Sequence, residues 1–182
     1  IAQILRKAGA RLAVTYQNER LRDNVRKLVS DWDDALTVEC DVGSDDNIER
    51  AYERVGEEFG RLDIIVHSIA FANREDLGGP FIKTGRDGFR VALDGRAYSL
   101  LPLARFGAPL MDGDGGSIVT MTFQASTRVF PGYNVMRAAK AALENSVKPL
   151  ASDLGRQSIR VNAIAAGPLD TVSSRVISGY RD

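Results

Sequence analysis

The chain has 182 residues with 24 basic and 24 acidic side chains, so its formal charge is zero; 44% of the residues are hydrophobic and 26% charged. That is the composition of a globular protein with a substantial core, and the length gives one domain over residues 1–182. A neutral chain has no basic surplus to displace counterions from phosphates, which argues against nucleic acid. No run approaches the roughly 18 apolar residues of a membrane span, and no signal-peptide pattern is present. Cys40 has no second cysteine to pair with, and His67 is the only histidine. The first fits a reducing cytoplasm; the second leaves no histidine metal site and no Ser-His-Asp triad.

The elements alternate along the chain. Ile1, Ile4 and Leu5 follow helical spacing and Gly9 is placed as a stop, so the sequence reads as starting inside a helix, as the middle of a longer protein. Residues 11–16 form an apolar strand. Leu21, Val25, Leu28, Val29 and Trp32 then make the stripe of a one-sided helix. Residues 35–40 are the next strand. Asp46 with Glu49 resembles a capping pair, and Ile48, Ala51, Tyr52, Val55 and Phe59 form a stripe that ends at Gly60. Residues 63–67, 117–121 and 159–164 are three further strands, with long helices expected over about 85–110 and 133–154 between them. The glycines at 78–79 and 113–116 mark turns.

Strands separated by helices of this length mean βαβ units and parallel pairing. The expected fold is α/β: a three-layer, Rossmann-type doubly wound parallel sheet, incomplete at both its N- and C-terminus. Such a sheet binds ligands beyond the C-terminal ends of its strands. The residues found there are Gln17, Asp41 and Val42, Ser68 to Ala70, Thr122 and Phe123, and Ala166 to Pro168. The Gly-rich phosphate loop of this fold belongs before the first residue of the chain.

Tyr133 and Lys140 are seven residues apart, 20° short of two helical turns, and so share a face. A phenol there suits hydrogen bonding to a carbonyl oxygen that becomes an enolate or alkoxide. An ammonium two turns deeper suits ribose hydroxyls, and its field favours the ionised phenol. The bland readings are that Asp41 caps a local turn, that Cys40 fills the core, and that His67 orients backbone at a strand end.

With Ile164-Ala-Ala-Gly-Pro-Leu-Asp-Thr171, the segment Tyr133-Asn-Val-Met-Arg-Ala-Ala-Lys140 resembles the divergent Tyr-x6-Lys branch of the short-chain dehydrogenase/reductases. That branch is the bacterial NADH-dependent enoyl-acyl-carrier-protein reductases. Thr15-Tyr-Gln-Asn18, Cys40-Asp-Val42, His67-Ser-Ile-Ala-Phe-Ala72 and Tyr98-Ser99 match in order, so the resemblance covers nearly the whole chain.

The resemblance implies that trans-2-enoyl thioesters, carried on acyl-carrier protein or coenzyme A, are reduced in fatty-acid elongation. Tyr133 would hydrogen-bond the thioester carbonyl and Lys140 the nicotinamide ribose. Asp41 and Val42 would bracket the adenine, with Gln17 near its ribose. Ser68, Ile69 and Ala70 would line the cofactor's path, and Gly167, Pro168 and Thr171 would lie by the nicotinamide. Phe71, Ala72, Phe123, Tyr133 and Met136 would form the acyl pocket. A homotetramer built on the two long helices is implied as well, with Gly95, Pro102 and Pro149 as points where those helices bend or break.

NADH is expected over NADPH, because Gln17 stands where a 2′-phosphate would want an arginine; Arg20 nearby keeps NADPH as the second choice. Ketone-reducing relatives carry Tyr-x3-Lys, and the matching position here is Met136, which has no proton to give. Their usual serine is replaced by Phe123. An oxidoreductase acting on ketones or alcohols, or a non-catalytic nucleotide-binding fragment, are the alternatives.

Overall fold

A computed structural model describes residues 1–69, 77–111 and 113–167. The chain divides into two compact units, Ile1–Leu62 and the residues from Asp63 onward.

In the first unit β1 (Ala13–Tyr16) pairs in parallel with β2 (Leu36–Glu39), from Ala13 opposite Leu36 to Tyr16 opposite Glu39. Helix α1 (Ala2–Lys7) precedes β1, and Gly9 at φ +91° ends that segment as the sequence predicts. Helix α2 spans Glu19–Leu28. Its stripe is narrower than the apolar spacing suggests. Val29 is buried, but Leu28 lies on the other edge of the arc and is 73% exposed, and Trp32 falls in the turn beyond the helix.

Helix α3 (Asp45–Phe59) buries Ile48, Ala51 and Val55 and stops at Gly60, φ +73°. Its cap is not the Asp46–Glu49 pair. Ser44 stands one residue before the helix and its hydroxyl accepts from the Asn47 amide at 3.3 Å. Asp45 and Asp46 already lie inside the first turn, where their charge favours the dipole's positive end. Arg11 clamps the far end, stacking 4.2 Å from the Phe59 ring centroid and pairing with Glu58.

The second unit holds the parallel sheet β3 (Ile64–His67), β4 (Gly116–Phe123) and β5 (Ile159–Ala166), in that order. β4 and β5 run two residues further than the apolar pattern indicates, so Phe123 and Ala166 face each other at the C-terminal edge. Parallel pairing of β3 with β4 and of β4 with β5 requires a crossover between successive strands. Helix α6 (Val135–Leu154) joins β4 to β5 and continues through the exposed Pro149.

The crossover from β3 to β4 is not one helix over 85–110. It is α4 (Arg86–Leu93), a π-turn over Asp94–Tyr98, and α5 (Leu100–Gly107). The Ser99 amide reaches back five residues to the Asp94 carbonyl at 3.1 Å. That extra residue restarts the helix, so the buried Pro102 falls in a first turn, where its missing N–H removes no internal bond. Among the described residues no helix is long and apolar enough to cross a membrane, and no group of three or more His, Cys, Asp or Glu side chains gathers for a metal.

The glycines before β4 differ in what they tolerate. Gly113 (φ +93°) faces open space, whereas a Cβ on Gly115 (φ +74°) would lie 2.5 Å from the Ser158 carbonyl oxygen. Gly113→Ala should cost about 1 kcal/mol for its left-handed backbone alone. Gly115→Ala should cost roughly 3 kcal/mol, because fixed backbone of the β5 approach must also shift. Urea denaturation of the two variants beside the parent checks the difference; equal midpoints would refute it.

Candidate active site

In the first unit the strand ends gather Gln17, Asp41 and Val42. The exposed Gln17 donates its amide to Asp41 Oδ1 at 3.5 Å, and the Gly43 amide donates to the same oxygen at 3.1 Å. Asp41 therefore caps its own turn, the bland expectation, while still holding Gln17. Cys40 beside it is buried, and burial raises its thiol to about 11, as suits a core filler rather than a nucleophile.

In the second unit Ser68 and Ile69 follow β3 directly, Ser68 exposed and Ile69 half-buried, and Gly167 follows β5. Ala70, Phe71, Ala72, Pro168 and Thr171 lie outside the described residues. Tyr133 is not the first residue of a helix. It stands two positions before α6, in a turn closed by its own amide on the Phe130 carbonyl at 3.2 Å. Asn134 next to it takes φ +35° and donates its side-chain amide to the carbonyls of Gly78 and Gly79. The Gly78 amide returns a bond to the Gly132 carbonyl at 3.1 Å. Two loops are stitched together, and the phenol is fixed by backbone rather than by helical phase.

Around Tyr133 lies an apolar wall. Its ring sits 5.2 Å from Phe123, which in turn is 4.8 Å from Phe130. Ala92, Ala125, Val135 and Met136 complete this buried cluster, with Leu77 packed against it. The expected pocket residues Phe123, Tyr133 and Met136 are thus brought together. Lys140 is buried on α6 and donates to the Met121 carbonyl. Burial and then the charge of Arg96 lower it to about 8, and Glu144, one turn on, opposes them. Glu144 itself accepts from Thr122 Oγ1 at 2.6 Å.

Arg96 escapes the sequence reading, and His67 is read there only as orienting backbone at a strand end. Arg96, on the π-turn, is only 4% exposed; burial lowers it to about 10, and the Tyr133 phenol works the other way. His67 does more than orient backbone. Its Nδ1 lies 2.7 Å from Thr120 Oγ1 and its Nε2 lies 2.9 Å from Ser99 Oγ, while Ser99 donates to the Gly95 carbonyl at 2.9 Å. Since the serine's one proton is used on Gly95, Nε2 carries the imidazole proton and Nδ1 accepts from Thr120. Burial, then Lys140, hold this histidine neutral, with its pKa near 4. The usable signal was spacing: Gly95 and Ser99 are four apart in the one segment whose helix-breakers foretold a break.

The enoyl-(acyl carrier protein) reductase family model matches residues 1–182. The NADH enoyl-acyl-carrier-protein reductase FabI of Bacillus subtilis is 46% identical over 182 residues, covering 99% of this chain and 70% of that protein.

The chain belongs to the enoyl-acyl-carrier-protein reductase family.

The NADPH-named FabI of Staphylococcus aureus is 43% identical, over 99% of this chain and 71% of its own length. The crystal structure of the NADH enoyl-acyl-carrier-protein reductase of Aquifex aeolicus superposes with a TM-score of 0.95 at 43% identity, covering 100% of this chain and 70% of that one. The doubly wound fold expected from the strand-helix alternation is thereby established.

In this reductase chain the neutral His67 makes stability depend on acid. Its folded pKa of about 4 lies below the ordinary 6.5, so the unfolded chain binds a proton that the folded chain refuses. Stability contributed above pH 6.5 should be lost as pH falls from about 6.5 to about 4, by roughly 3.5 kcal/mol at about 1.4 per unit. His67→Gln, which keeps one donor and one acceptor, should flatten that part of the pH dependence in urea midpoints. Identical pH slopes for parent and variant would show that the imidazole is not held neutral.

Proposed function

We propose that residues 1–182 act as one dinucleotide-binding domain that reduces trans-2-enoyl thioesters on acyl-carrier protein to acyl thioesters, with NADH as reductant, in fatty-acid synthesis. The observation that carries the site assignment is the buried phenol of Tyr133, held between Phe123 and the helix bearing Lys140. The donor set suits the cofactor. Gln17 and Asp41 offer an amide and a carboxylate for a ribose and an adenine edge, with no buried cation at that strand end among the described residues to favour a 2′-phosphate. When bound, the nicotinamide supplies the hydride for the β-carbon of the enoyl group.

The chain's own residues do the rest. Tyr133 donates to the thioester carbonyl oxygen and so stabilises the enolate charge that develops there. Lys140, with donors beyond the one spent on Met121, holds the nicotinamide ribose hydroxyls. Asp41, Val42 and Gln17 hold the adenosine end, and Ser68, Ile69, Ala70, Gly167, Pro168 and Thr171 line the remainder. Phe123 and Met136 line the acyl pocket and exclude water, and the resemblance assigns Phe71 and Ala72 to the same pocket. Met136 is buried beside the phenol where ketone-reducing relatives place their acid, which supports enoyl over ketone chemistry. A cytoplasmic homotetramer assembled through its long helices is the form in which we expect it to work.

The test uses the full-length enzyme and follows NADH oxidation with a short enoyl thioester and with the matching 3-ketoacyl thioester. Turnover is expected on the enoyl substrate alone. Tyr133→Phe should lower kcat about a hundredfold with NADH affinity nearly unchanged. Lys140→Ala should weaken NADH binding as well as rate. Turnover on the ketone, or equal loss of NADH affinity in both variants, would overturn the reading.

A further inference from the structure

Tyr133 sits between two tight turns, and each contains a residue at positive φ. In the first, Phe130 to Tyr133, Gly132 supplies it at φ +74°, and the Tyr133 amide closes the turn on the Phe130 carbonyl at 3.2 Å. In the second, Tyr133 to Met136, the Met136 amide closes on the Tyr133 carbonyl at 3.0 Å, and Asn134 supplies φ +35° with ψ −121°. That conformation is close to the first central position of a type II′ turn. Glycine takes it without strain, and a residue with a Cβ takes it at a cost.

Asparagine here also forgoes the advantage it ordinarily has before a helix. Asn134 stands at the cap position of α6, yet its side chain makes no capping hydrogen bond to that helix. It donates instead to the carbonyls of Gly78 and Gly79, the second at 3.2 Å. Two carbonyl acceptors decide which end of the side-chain amide faces them. Those glycines have left-handed backbone, φ +82° and +63°, and the Gly78 amide returns a bond to the Gly132 carbonyl at 3.1 Å.

Both ends of this bridge adjoin the chemistry. One end is the residue next to Tyr133. The other is the loop that follows Leu77, which packs against the cluster of Tyr133 and Phe123. The first turn of α6 has an anchor of its own, Arg137 Nε on the Ala125 carbonyl at 3.0 Å. The bonds of Asn134 therefore act on the turn before the helix.

We infer that Asn134 is a positioning residue for enoyl reduction. Its bonds to Gly78 and Gly79 hold the turn of Tyr133 against the loop bearing Leu77, so that the direction of the phenol and one wall of the acyl pocket are set together. Glycine would relieve the backbone but has no side chain with which to bridge, which is why strain is kept at this position. The role rests on the enoyl-reductase reading and deepens it, because Asn134 acts on the reaction through Tyr133.

The experiment compares the full-length parent with Asn134→Gly and Asn134→Asp, reading kcat and KM for an enoyl thioester, the Kd for NADH and the urea midpoint. The glycine accepts the backbone and loses the bridge; the ionised aspartate keeps the shape but has no proton for either carbonyl. Both should lower kcat about tenfold, as a small misplacement of the donor would, with NADH affinity changed less than about twofold. Their urea midpoints should differ, glycine being the more stable, while their kcat values agree. Repeating Asn134→Gly in the Tyr133→Phe background isolates the route. With no phenol hydroxyl left to aim, the further fall in kcat should be under about twofold.

A parent-like kcat in Asn134→Gly, a kcat that follows the urea midpoint, or an equal fall in the Tyr133→Phe background would mean that Asn134 only holds the fold, and would overturn the inference. Should the variants fail to fold, hydrogen exchange in the parent decides. Gly78 and Tyr133 amides that exchange at one slow rate support the inference, and free exchange at Gly78 overturns it. No turnover of enoyl thioester by the parent would instead refute the enoyl-reductase reading itself.

Discussion

The second unit depends on a neutral imidazole that has to satisfy both of its nitrogens out of water. His67 ends β3, Thr120 lies opposite it in the register of β4, and Ser99 belongs to the first residues after the π-turn. One side chain therefore ties two strands to the crossover between them. A buried polar ring left with one nitrogen unpaired would cost about 1–3 kcal/mol, so the arrangement is all-or-none. The protons run in one direction, from Thr120 to His67, from His67 to Ser99, and from Ser99 to the Gly95 carbonyl. That last acceptor lies inside the π-turn. Chemistry at the end of the sheet and an irregular helix are thus parts of one hydrogen-bonded structure.

The same neighbourhood concentrates positive charge. Lys140 and Arg96 are both buried, the charge of Arg96 lowers the hold of Lys140 on its proton, and Glu144 opposes it. Burial penalises the charged form of both side chains. His67 is the one titratable group here that escapes, and it does so by staying neutral.

How much of this could be read from the sequence follows from what each signal depends on. The strands were legible because short apolar runs between turn residues have few other readings, and Gly9 and Gly60 ended their segments at positive φ as a stop signal should. That Gln17, Asp41 and Val42 lie at one strand edge was legible from topology alone, since residues after parallel strands converge there.

Failures came where tertiary contacts outrank local pattern. Leu28 shares apolar character with Val29 but not its burial: no residue of α2 is buried, and Val29 lies just beyond its end. Ser44, not Asp46, caps α3, a shift of two residues that periodicity cannot resolve. Arg96 was missed because a charged residue in a helical stretch reads as solvated, whereas this one lies on the π-turn and is buried. Asn134 was missed because its role is long-range, a bond to glycines 55 and 56 residues away.

The division of labour between acid and apolar surface is what separates this site from carbonyl-reducing relatives of the same fold. Reducing a ketone leaves an alkoxide that has to be protonated at once, so a proton donor is needed at the reacting oxygen. Reducing the double bond of an enoyl thioester leaves an enolate, whose charge is delocalised and whose proton can arrive later. A hydrogen-bond donor suffices, and water near it is a liability because it competes for that bond. Met136, Phe123 and Phe130 supply no proton but close the phenol off from solvent on the side described. On the proposed reading, in which Tyr133 is the donor, an apolar residue four positions before Lys140 fits the chemistry: the buried apolar neighbours lower the dielectric around the phenol and strengthen its hydrogen bond.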